Sequence, residues 1–407
     1  MTGVQTCALP ISQTFLGNRN RLQDEMYDEF VEYIVGSCLA FKNEFGIELY
    51  SINLQNEAEF YSSENYTATC GYTREEAAEI VRRTYPRLRA AGIATRIHGF
   101  DQLPAQGNVL NWFSYFNNTD VKDKFDEFSI HAYGANAIDP ANLDNARLQE
   151  YYTECQRVEP KKELWMTETS GWQQTAAGGA LAISSVFSSL ANNLSAWVFL
   201  NIDRKKDEMN FYVHKNYAKF IRPGAVRFGA STTSDGIPGI AFKHDAEKTY
   251  SIVLVNTTGQ MKQSKLSGLP ANFPTKMYAY MTAENINCQL IDSVTAADSY
   301  MVSLPPNSIV TLYSKYENVT ASEDVVGANL EMIVYPNPSK GELNIMLPSN
   351  NYKEVSVLDI TGRVVLTQTI KANGTGTERL DLSGLQKGMY IISAKGETTL
   401  RKKVVID

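Results

Sequence analysis

The sequence predicts an α/β fold, an incomplete (β/α)8 TIM barrel with about five of its eight strands, followed by two all-β domains. Between residues 24 and 222, short apolar segments alternate with amphipathic helices, a pattern typical of a parallel sheet covered by helices. After residue 222 the hydrophobic period changes to two, which is typical of antiparallel strands. The chain is long enough to hold several such domains.

The elements of the predicted barrel follow one another in regular order. Residues 24–45 form an amphipathic helix with apolar side chains at three- and four-residue spacing, and Gly46 ends it. Thr73 and Glu76 form a capping box that begins the second helix. The predicted helices are 24–45, 73–92, 109–125, 147–158, 176–194 and 215–221, and the predicted strands are 47–57, 94–99, 128–133, 163–168 and 196–201. Because a closed barrel has eight strands, we interpret this one as lacking its first three.

The domain boundaries follow from changes in composition and period. Residues 12–222 form the partial barrel, 223–316 a β-sandwich side domain, 317–329 a polar acidic linker and 330–407 a third, all-β domain. Residues 1–11 have no basic region, and their apolar run is too short for a signal peptide. We interpret them as non-native sequence, so the chain is expected to be truncated at its N-terminus.

Composition narrows the classes of partner. The chain carries 38 Lys and Arg against 45 Asp and Glu, a formal charge of -7, without a basic stripe that would neutralise nucleic-acid phosphates. A neutral polysaccharide suits this charge. No apolar run approaches the length that spans a bilayer. The five cysteines show no CxxC spacing and the chain has four histidines, so we expect no metal site and no cofactor. A Cys70–Cys155 disulfide is a less favoured alternative.

Two glutamates at the ends of predicted strands are the strongest candidates for catalysis. Glu57 follows the apolar segment 47–56, and Glu168 ends the segment 163–168. The ends of alternate strands face one another across the mouth of a parallel barrel. Two facing carboxyl groups are the equipment needed to hydrolyse a glycosidic bond. The alternatives are a solvated loop glutamate for Glu57 and a helix-capping carboxylate for Glu168.

Other polar and aromatic residues near these strand ends are candidates for substrate binding. Asn56 is placed to donate to a sugar hydroxyl, and Tyr133 to donate its hydroxyl to Glu168. His131 points the same way as Tyr133 on its strand, although a buried core histidine is the commoner alternative. Trp172 offers a flat surface for stacking on a sugar ring. Trp197 is a candidate floor of the site or, nearly as well, a packed barrel residue.

Four segments together resemble glycoside hydrolase family 30, and in order and spacing its bacterial xylanase branch. They are Leu54-Gln-Asn-Glu57, His131-Ala-Tyr-Gly134, Leu164-Trp-Met-Thr-Glu168 and Phe220-Ile-Arg-Pro-Gly224. The resemblance covers roughly residues 20–316, including the side domain. It implies a retaining mechanism with Glu57 as acid/base and Glu168 as nucleophile, whose carboxyl groups would stand about 5–5.5 Å apart.

The chain departs from the family pattern at two places. Family members usually have proline after the acid/base glutamate, where this chain has Ala58. Glucuronoxylan-specific members hold a uronate with an arginine in the loop after the last strand. Arg204 is the nearest candidate, although the sequence around it does not align.

The last domain resembles a type IX secretion C-terminal sorting domain. The segments that carry the resemblance are Tyr335-Pro-Asn-Pro338, Asp359-Ile-Thr-Gly-Arg363, Leu380-Asp-Leu-Ser-Gly-Leu385, Gly388-Met-Tyr390 and Arg401-Lys-Lys-Val-Val405. The alternative is a second carbohydrate-binding sandwich, which is less favoured because the tail has no tryptophan. The resemblance implies the type IX secretion machinery as a partner and a secreted or cell-surface location.

These features favour an endo-acting β-1,4-xylanase or glucuronoxylanase that degrades plant polysaccharide without metal or organic cofactor. One alternative keeps the chemistry and changes the sugar, as in a β-1,6-glucanase or a glucosylceramidase-like hydrolase. Another is a catalytically inactive, truncated carbohydrate-binding fragment.

Overall fold

The protein is described from a computed structural model, which divides into two compact units. The α/β unit comprises Met1–Trp172 and Ser184–Lys206, and the β-rich unit comprises Gln173–Ile183 and Asp207–Asp407. The structure describes residues 14–16, 19–59, 70–104, 107–133, 145–200, 202, 206, 208–232, 236–295, 300–315, 332–335, 337–347, 352–370, 377–396 and 399–407. The segment interpreted as non-native (1–11), the linker 317–329 and Arg204 lie outside these residues.

The α/β unit is built on a parallel sheet with the order β3-β4-β5-β6-β7. A two-stranded hairpin of β1 (Thr14–Leu16) and β2 (Arg19–Arg21) precedes it. The five strands are β3 (Ser51–Asn53), β4 (Arg96–Gln102), β5 (Glu127–His131), β6 (Glu163–Glu168) and β7 (Leu194–Trp197). The helices are α1 (Tyr27–Phe45), α2 (Arg74–Ala90), α3 (Val109–Asn117) and α4 (Ala146–Cys155), with a 3-10 turn at Asp24–Met26. Helix α5 (Ala176–Ala191) is divided between the two units at residue 184.

Local sequence explains where the helices begin and end. Gly46 ends α1 in the left-handed conformation, with φ 65°. The predicted capping box at α2 is confirmed, because the Glu76 amide donates to Thr73 Oγ1 at 3.2 Å and the Thr73 amide donates to Glu76 Oε2 at 2.8 Å. The helices pack on the sheet through stacked aromatic rings, for example Phe113 on Phe128 with ring centroids 4.4 Å apart.

The β-rich unit begins with α6 (Glu208–Ala218) and a β-sandwich. A six-stranded antiparallel sheet has the order β13-β12-β15-β10-β9-β8, and β11 pairs with β14. The strands are β8 (Val226–Phe228), β9 (Gly239–His244), β10 (Thr249–Asn256), β11 (Lys262–Lys265), β12 (Lys276–Ala283), β13 (Ile286–Thr295), β14 (Met301–Leu304) and β15 (Ser308–Tyr313). Helix α6 packs on β12, β13 and β15. The side-chain amide of Asn216 (Nδ2) donates a hydrogen bond to Ile309 O at 3.2 Å, which links the helix to the sheet.

The C-terminal part of this unit consists of two further antiparallel sheets, β16-β17-β20 and β19-β18-β21-β22. Their strands are β16 (Ile333–Tyr335), β17 (Glu342–Met346), β18 (Glu354–Asp359), β19 (Val364–Thr369), β20 (Thr377–Asp381), β21 (Gly388–Lys395) and β22 (Thr399–Ile406). Buried side chains such as Leu343, Val357 and Ile392 form its own core. The predicted fold class is therefore confirmed, with a five-stranded parallel sheet followed by all-β structure.

Two general expectations are also decided by the described residues. Cys70 and Cys155 are both buried, and no disulfide joins these two residues. Within the same residues, we find no helix long and apolar enough to cross a membrane.

Candidate active site

Two β-bulges shape the carboxyl end of the parallel sheet. In β4, Phe100 and Asp101 lie opposite the single residue Ser129 of β5. In β6, Thr167 is the extra residue, so that Glu168 pairs with His131. A bulge bends its strand and redirects the next side chain, and bulges are enriched next to active sites. Here they bring Asp101 and Glu168 to the side of the sheet that His131 occupies.

Glu57 lies in the turn that follows β3 rather than within a strand. Its backbone is left-handed, with φ 45°, a conformation that is uncommon for a residue with a side chain. The next residue, Ala58, is fully buried, and its carbonyl accepts the Tyr72 amide at 3.0 Å. Strained backbone of this kind is concentrated at functional sites. The buried turn fixes the position from which the Glu57 side chain projects.

Glu57 and Glu168 converge on the ring of His131. His131 Nδ1 lies 2.8 Å from Glu57 Oε1, and His131 Nε2 lies 3.8 Å from Glu168 Oε2. One oxygen from each carboxyl group and one ring nitrogen all lie within 4.8 Å of one another. The side chain of His131 is 1% exposed, whereas Glu57 and Glu168 are 14% and 21% exposed. The two carboxyl groups therefore share one small, partly open space above a buried histidine.

A third carboxylate, Asp101, lies close to His131 Nε2. Asp101 Oδ2 is 3.5 Å from His131 Nε2, and the Asp101 side chain is almost completely buried. Thr167 Oγ1 donates to Asp101 Oδ1 at 2.6 Å, and Asn53 Nδ2 donates to Asp101 Oδ2. Ser129 Oγ accepts the Asp101 amide at 3.3 Å. Thr167 and Asn53 both donate hydrogen bonds to the carboxylate of Asp101, and this favours its ionised form.

The charges of this group are set by their neighbours. Burial alone lowers the pKa of His131, but the nearby Asp101, Glu57 and Glu168 outweigh it and raise that pKa to about 10. Burial raises the pKa of Asp101, but the charged His131 holds it well below the usual range. Burial raises the pKa of Glu168 above its usual value, with His131 opposing the change. At neutral pH the group therefore contains an imidazolium ion among carboxyl groups.

Glu57, His131 and Glu168 also have the spacing of a metal-binding group. A histidine must be deprotonated to bind a metal ion. Because the pKa of His131 is raised to about 10, its ring nitrogens carry protons at neutral pH. Protonation of His131 therefore competes with the binding of a divalent cation at neutral pH.

The other residues predicted to bind substrate differ in their burial and in their contacts with His131 and the two glutamates. Trp197 pairs with Met166 on the neighbouring strand and packs against the hydrophobic core. The indole Nε1 atoms of Trp172 and Trp197 are buried without a hydrogen-bond partner among the described residues. Asn56 is exposed beside Glu57. Tyr133 makes an edge-to-face contact with His131, and within the described part of the chain no hydrogen bond joins its hydroxyl to Glu168.

Comparison with known proteins agrees with the fold and with the tail. Residues 333–407 match the model of the secretion system C-terminal sorting domain. The chain is 24% identical over 315 residues to the glucuronoxylanase XynC of Bacillus subtilis, covering 71% of this chain and 67% of the relative. It is 24% identical over 267 residues to the endo-1,6-β-D-glucanase neg1 of Aspergillus fumigatus, covering 57% of this chain and 50% of that relative.

Among solved structures, a family 30 endoxylanase from Clostridium papyrosolvens superposes with a TM-score of 0.59 at 21% identity, covering 73% of each chain. The fold is therefore similar to that of a family 30 glycoside hydrolase. The C-terminal residues are a sorting domain, which indicates type IX secretion to the cell surface or the extracellular space.

Proposed function

We propose that this chain is a retaining, endo-acting β-glycoside hydrolase that cleaves a xylan-type polysaccharide. The observation that carries the proposal is the convergence of Glu57 and Glu168, with carboxyl oxygens within 4.8 Å of each other. Retaining enzymes place their two carboxyl groups about 5–5.5 Å apart, whereas inverting enzymes leave room for a water between them. This close approach supports the retaining arrangement.

In the first proposed step, Glu168 attacks the anomeric carbon while Glu57 gives its proton to the leaving oxygen. The bond from the anomeric carbon to that oxygen breaks, and a covalent glycosyl-enzyme forms on Glu168. In the second step, Glu57 removes a proton from water, and the water oxygen displaces Glu168 from the sugar. Two displacements at one carbon restore its original configuration.

The substrate class is inferred from relatives and from the site together. A curated relative is named a glucuronoxylanase and a structural neighbour is an endoxylanase. The partly exposed indole rings of Trp172 and Trp197 offer apolar surface for a sugar, and the exposed Asn56 offers an amide. Arg204 stays a candidate for binding a uronate. The similarity to an endo-1,6-β-D-glucanase makes a β-1,6-glucan the second candidate substrate.

The domain division is part of the proposal. Residues 12–222 would hold the catalytic residues, residues 223–316 would form the side domain, and residues 330–407 would engage the secretion machinery. The proposed chemistry uses only carboxyl groups, and it requires neither a metal nor an organic cofactor.

The test compares the wild-type chain with Glu57→Gln and Glu168→Gln on glucuronoxylan, arabinoxylan and β-1,6-glucan. We expect reducing sugar from the wild type, a loss of about 10²–10⁴-fold in Glu57→Gln and a larger loss in Glu168→Gln. Glu163→Gln is the matched control, because Glu163 lies at the other end of β6 and is expected to keep turnover. Nuclear magnetic resonance of the first product reports whether the β-anomer is retained.

The outcomes separate the alternatives. Full turnover by Glu168→Gln would show that the nucleophile is another residue. Binding of polysaccharide by the wild type without any release of sugar would favour the binding fragment. Equal rates on glucuronoxylan and arabinoxylan would remove the role proposed for Arg204.

A further inference from the structure

We propose that Asp101 is a positioning residue, which holds His131 doubly protonated so that His131 Nδ1 can only donate to Glu57 Oε1. The catalytic proton of Glu57 must then sit on its other oxygen, from which it reaches the leaving group. This inference rests on the acid/base role proposed for Glu57. It concerns where the proton is held, which the carboxyl pair alone does not determine.

The first support is the way in which Asp101 is held. Thr167 Oγ1 and Asn53 Nδ2 each donate to one of its two oxygens, which holds the buried carboxylate in place. Its Oδ2 lies 3.5 Å from His131 Nε2. Burying a carboxylate is costly unless it is paired and hydrogen-bonded. Asp101 meets this condition only if His131 supplies the positive charge.

The second support is the backbone at Asp101. Its φ of 45° is left-handed, as at Glu57, and the residue lies in the β4 bulge between Gly99 and Gln102. Such a conformation is unfavourable for a residue with a side chain and persists only where the surroundings enforce it. A regular strand would not place this carboxylate close to His131 Nε2.

The third support is the set of charged groups that face His131. Glu57 comes from the turn after β3, Asp101 and His98 from β4, and Glu168 from β6, while Tyr133 contacts the ring edge. Burial lowers the pKa of His98, so this second histidine is neutral and leaves Asp101 to His131. Three carboxyl groups therefore surround one histidine, and the pKa of that histidine is raised to about 10.

The chemical consequence follows from the inventory of donors. A neutral imidazole has one nitrogen that accepts a hydrogen bond, and at Nδ1 that nitrogen would compete with the substrate for the Glu57 proton. An imidazolium ion has two donors and no acceptor, so it cannot take this proton. When the glycosidic bond breaks, its electron pair goes to the leaving oxygen, which receives the proton of Glu57. The protons of His131 stay in place throughout.

The experiment uses Asp101→Asn in the full chain and two substrates that differ in their need for acid catalysis. At pH 7 to 8, we expect kcat/KM on xylan to fall by about 10²-fold, within the range of general acid catalysis. An activated dinitrophenyl glycoside, whose leaving group needs no proton, is expected to lose less than about 3-fold. Lowering the pH recharges His131 in the variant, so the loss on xylan should shrink toward pH 5.

Thr167→Val is the matched control, because it removes a hydrogen bond to Asp101 but keeps the negative charge. Its pH profile is expected to stay at the wild-type position. Equal losses in Asp101→Asn on both substrates, or a loss that does not change with pH, would overturn the proposal. Wild-type protein that hydrolyses neither substrate would instead contradict the proposed function.

A second measurement is made on the wild-type protein and does not require Asp101→Asn to fold. The chain has four histidines, so the ring nitrogen-15 signals of labelled wild-type protein can be assigned to His131 with the aid of His131→Asn. An imidazolium signal for His131 at pH 8 is the expected result. A neutral His131 at that pH would overturn the proposal.

Discussion

Replacing His131 by asparagine removes a buried cation from among three carboxyl groups. The ring nitrogens lie 2.8 Å from Glu57 Oε1, 3.5 Å from Asp101 Oδ2 and 3.8 Å from Glu168 Oε2. Asparagine keeps an N–H donor close to the position of Nδ1 but carries no charge. The variant therefore tests the electrostatic contribution of His131 more directly than alanine would.

The raised pKa of His131 determines how much the free energy of unfolding should change in this variant. The difference between the usual value of 6.5 and the folded value of about 10 corresponds to about 5 kcal/mol of stability. Below pH 6.5 the histidine is charged in both the folded and the unfolded chain, so the stabilisation is fully present. It falls as the pH rises from 6.5, and it is lost once the pH exceeds about 10. Removing one member of a buried ion pair typically costs 3–5 kcal/mol, which is of the same size.

Tryptophan fluorescence during urea unfolding is the appropriate assay. All four tryptophans, at positions 112, 165, 172 and 197, belong to the α/β unit, so the signal follows this unit alone. At pH 6, His131→Asn is expected to lower the free energy of unfolding by about 3–5 kcal/mol. At pH 8 the difference between wild type and variant should be smaller, and near pH 10 it should almost vanish.

His98→Asn supplies a control with the opposite sign. His98 is also largely enclosed in this sheet, and burial lowers its pKa, so its charge is disfavoured in the folded state. Its contribution to stability is present above pH 6.5 and is lost as the pH falls. At acidic pH, the free energy of unfolding of His98→Asn should therefore rise relative to that of the wild type. A His131→Asn difference that stays constant from pH 6 to pH 10 would refute the assignment of a buried imidazolium.

Four further outcomes are expected. Thr73→Ala removes the capping box of α2 and should cost about 1 kcal/mol in the same fluorescence assay. Gly341→Ala should destabilise the C-terminal sheets by roughly 1–3 kcal/mol in calorimetry, since Gly341 has φ 112° and a Cβ would lie 2.7 Å from the Cα of Ser383. Because burial raises the pKa of Glu168, the acidic limb of kcat/KM should lie above the usual glutamate value of 4.5, as a pH–rate profile will show. Deleting residues 333–407 should abolish export, so that activity moves from the medium and cell surface to the cell lysate.

The order of helices and parallel strands could be predicted because its signals are local. Gly46 and the Thr73–Glu76 capping box gave the helix ends directly, and the apolar periods gave the element types. The lengths of the strands were less predictable than their order. The apolar run 47–57 was expected to be a strand throughout, whereas β3 covers only Ser51–Asn53 and Glu57 lies in a turn. Hydrogen bonding to a neighbouring strand, which the sequence does not encode locally, determines where a short strand ends.

Several strands of the β-rich unit are difficult to predict from the sequence for a related reason. β11 (Lys262–Lys265) and β20 (Thr377–Asp381) are short and largely polar, so they give little hydrophobic signal. β13 pairs with β12 through bulges, which break the regular alternation. Such strands are stabilised by their partners more than by their own composition.

At the candidate site, the sequence indicated Glu57, Glu168 and His131 but not Asp101. Asp101 lies after Gly99 and Phe100 in a run where the alternation of buried side chains is interrupted by a bulge. Counting residues along a regular strand places its side chain on the wrong face. The residue type is a weak signal, because aspartate tolerates the left-handed conformation found at this position better than most residues do.

The packing of α6 has a practical consequence for dissecting the protein. Tyr212 of α6 and Phe220, just after it, share a buried cluster with Tyr280, Cys288 and Tyr313 of the sandwich. An expressed fragment beginning at residue 223 would lack Tyr212 and Phe220. It would therefore expose the rings of Tyr280 and Tyr313 to water, at a cost of ~2–3 kcal/mol each. A fragment starting before Glu208 keeps the helix, and it is the one to choose for crystallisation or binding assays of the side domain.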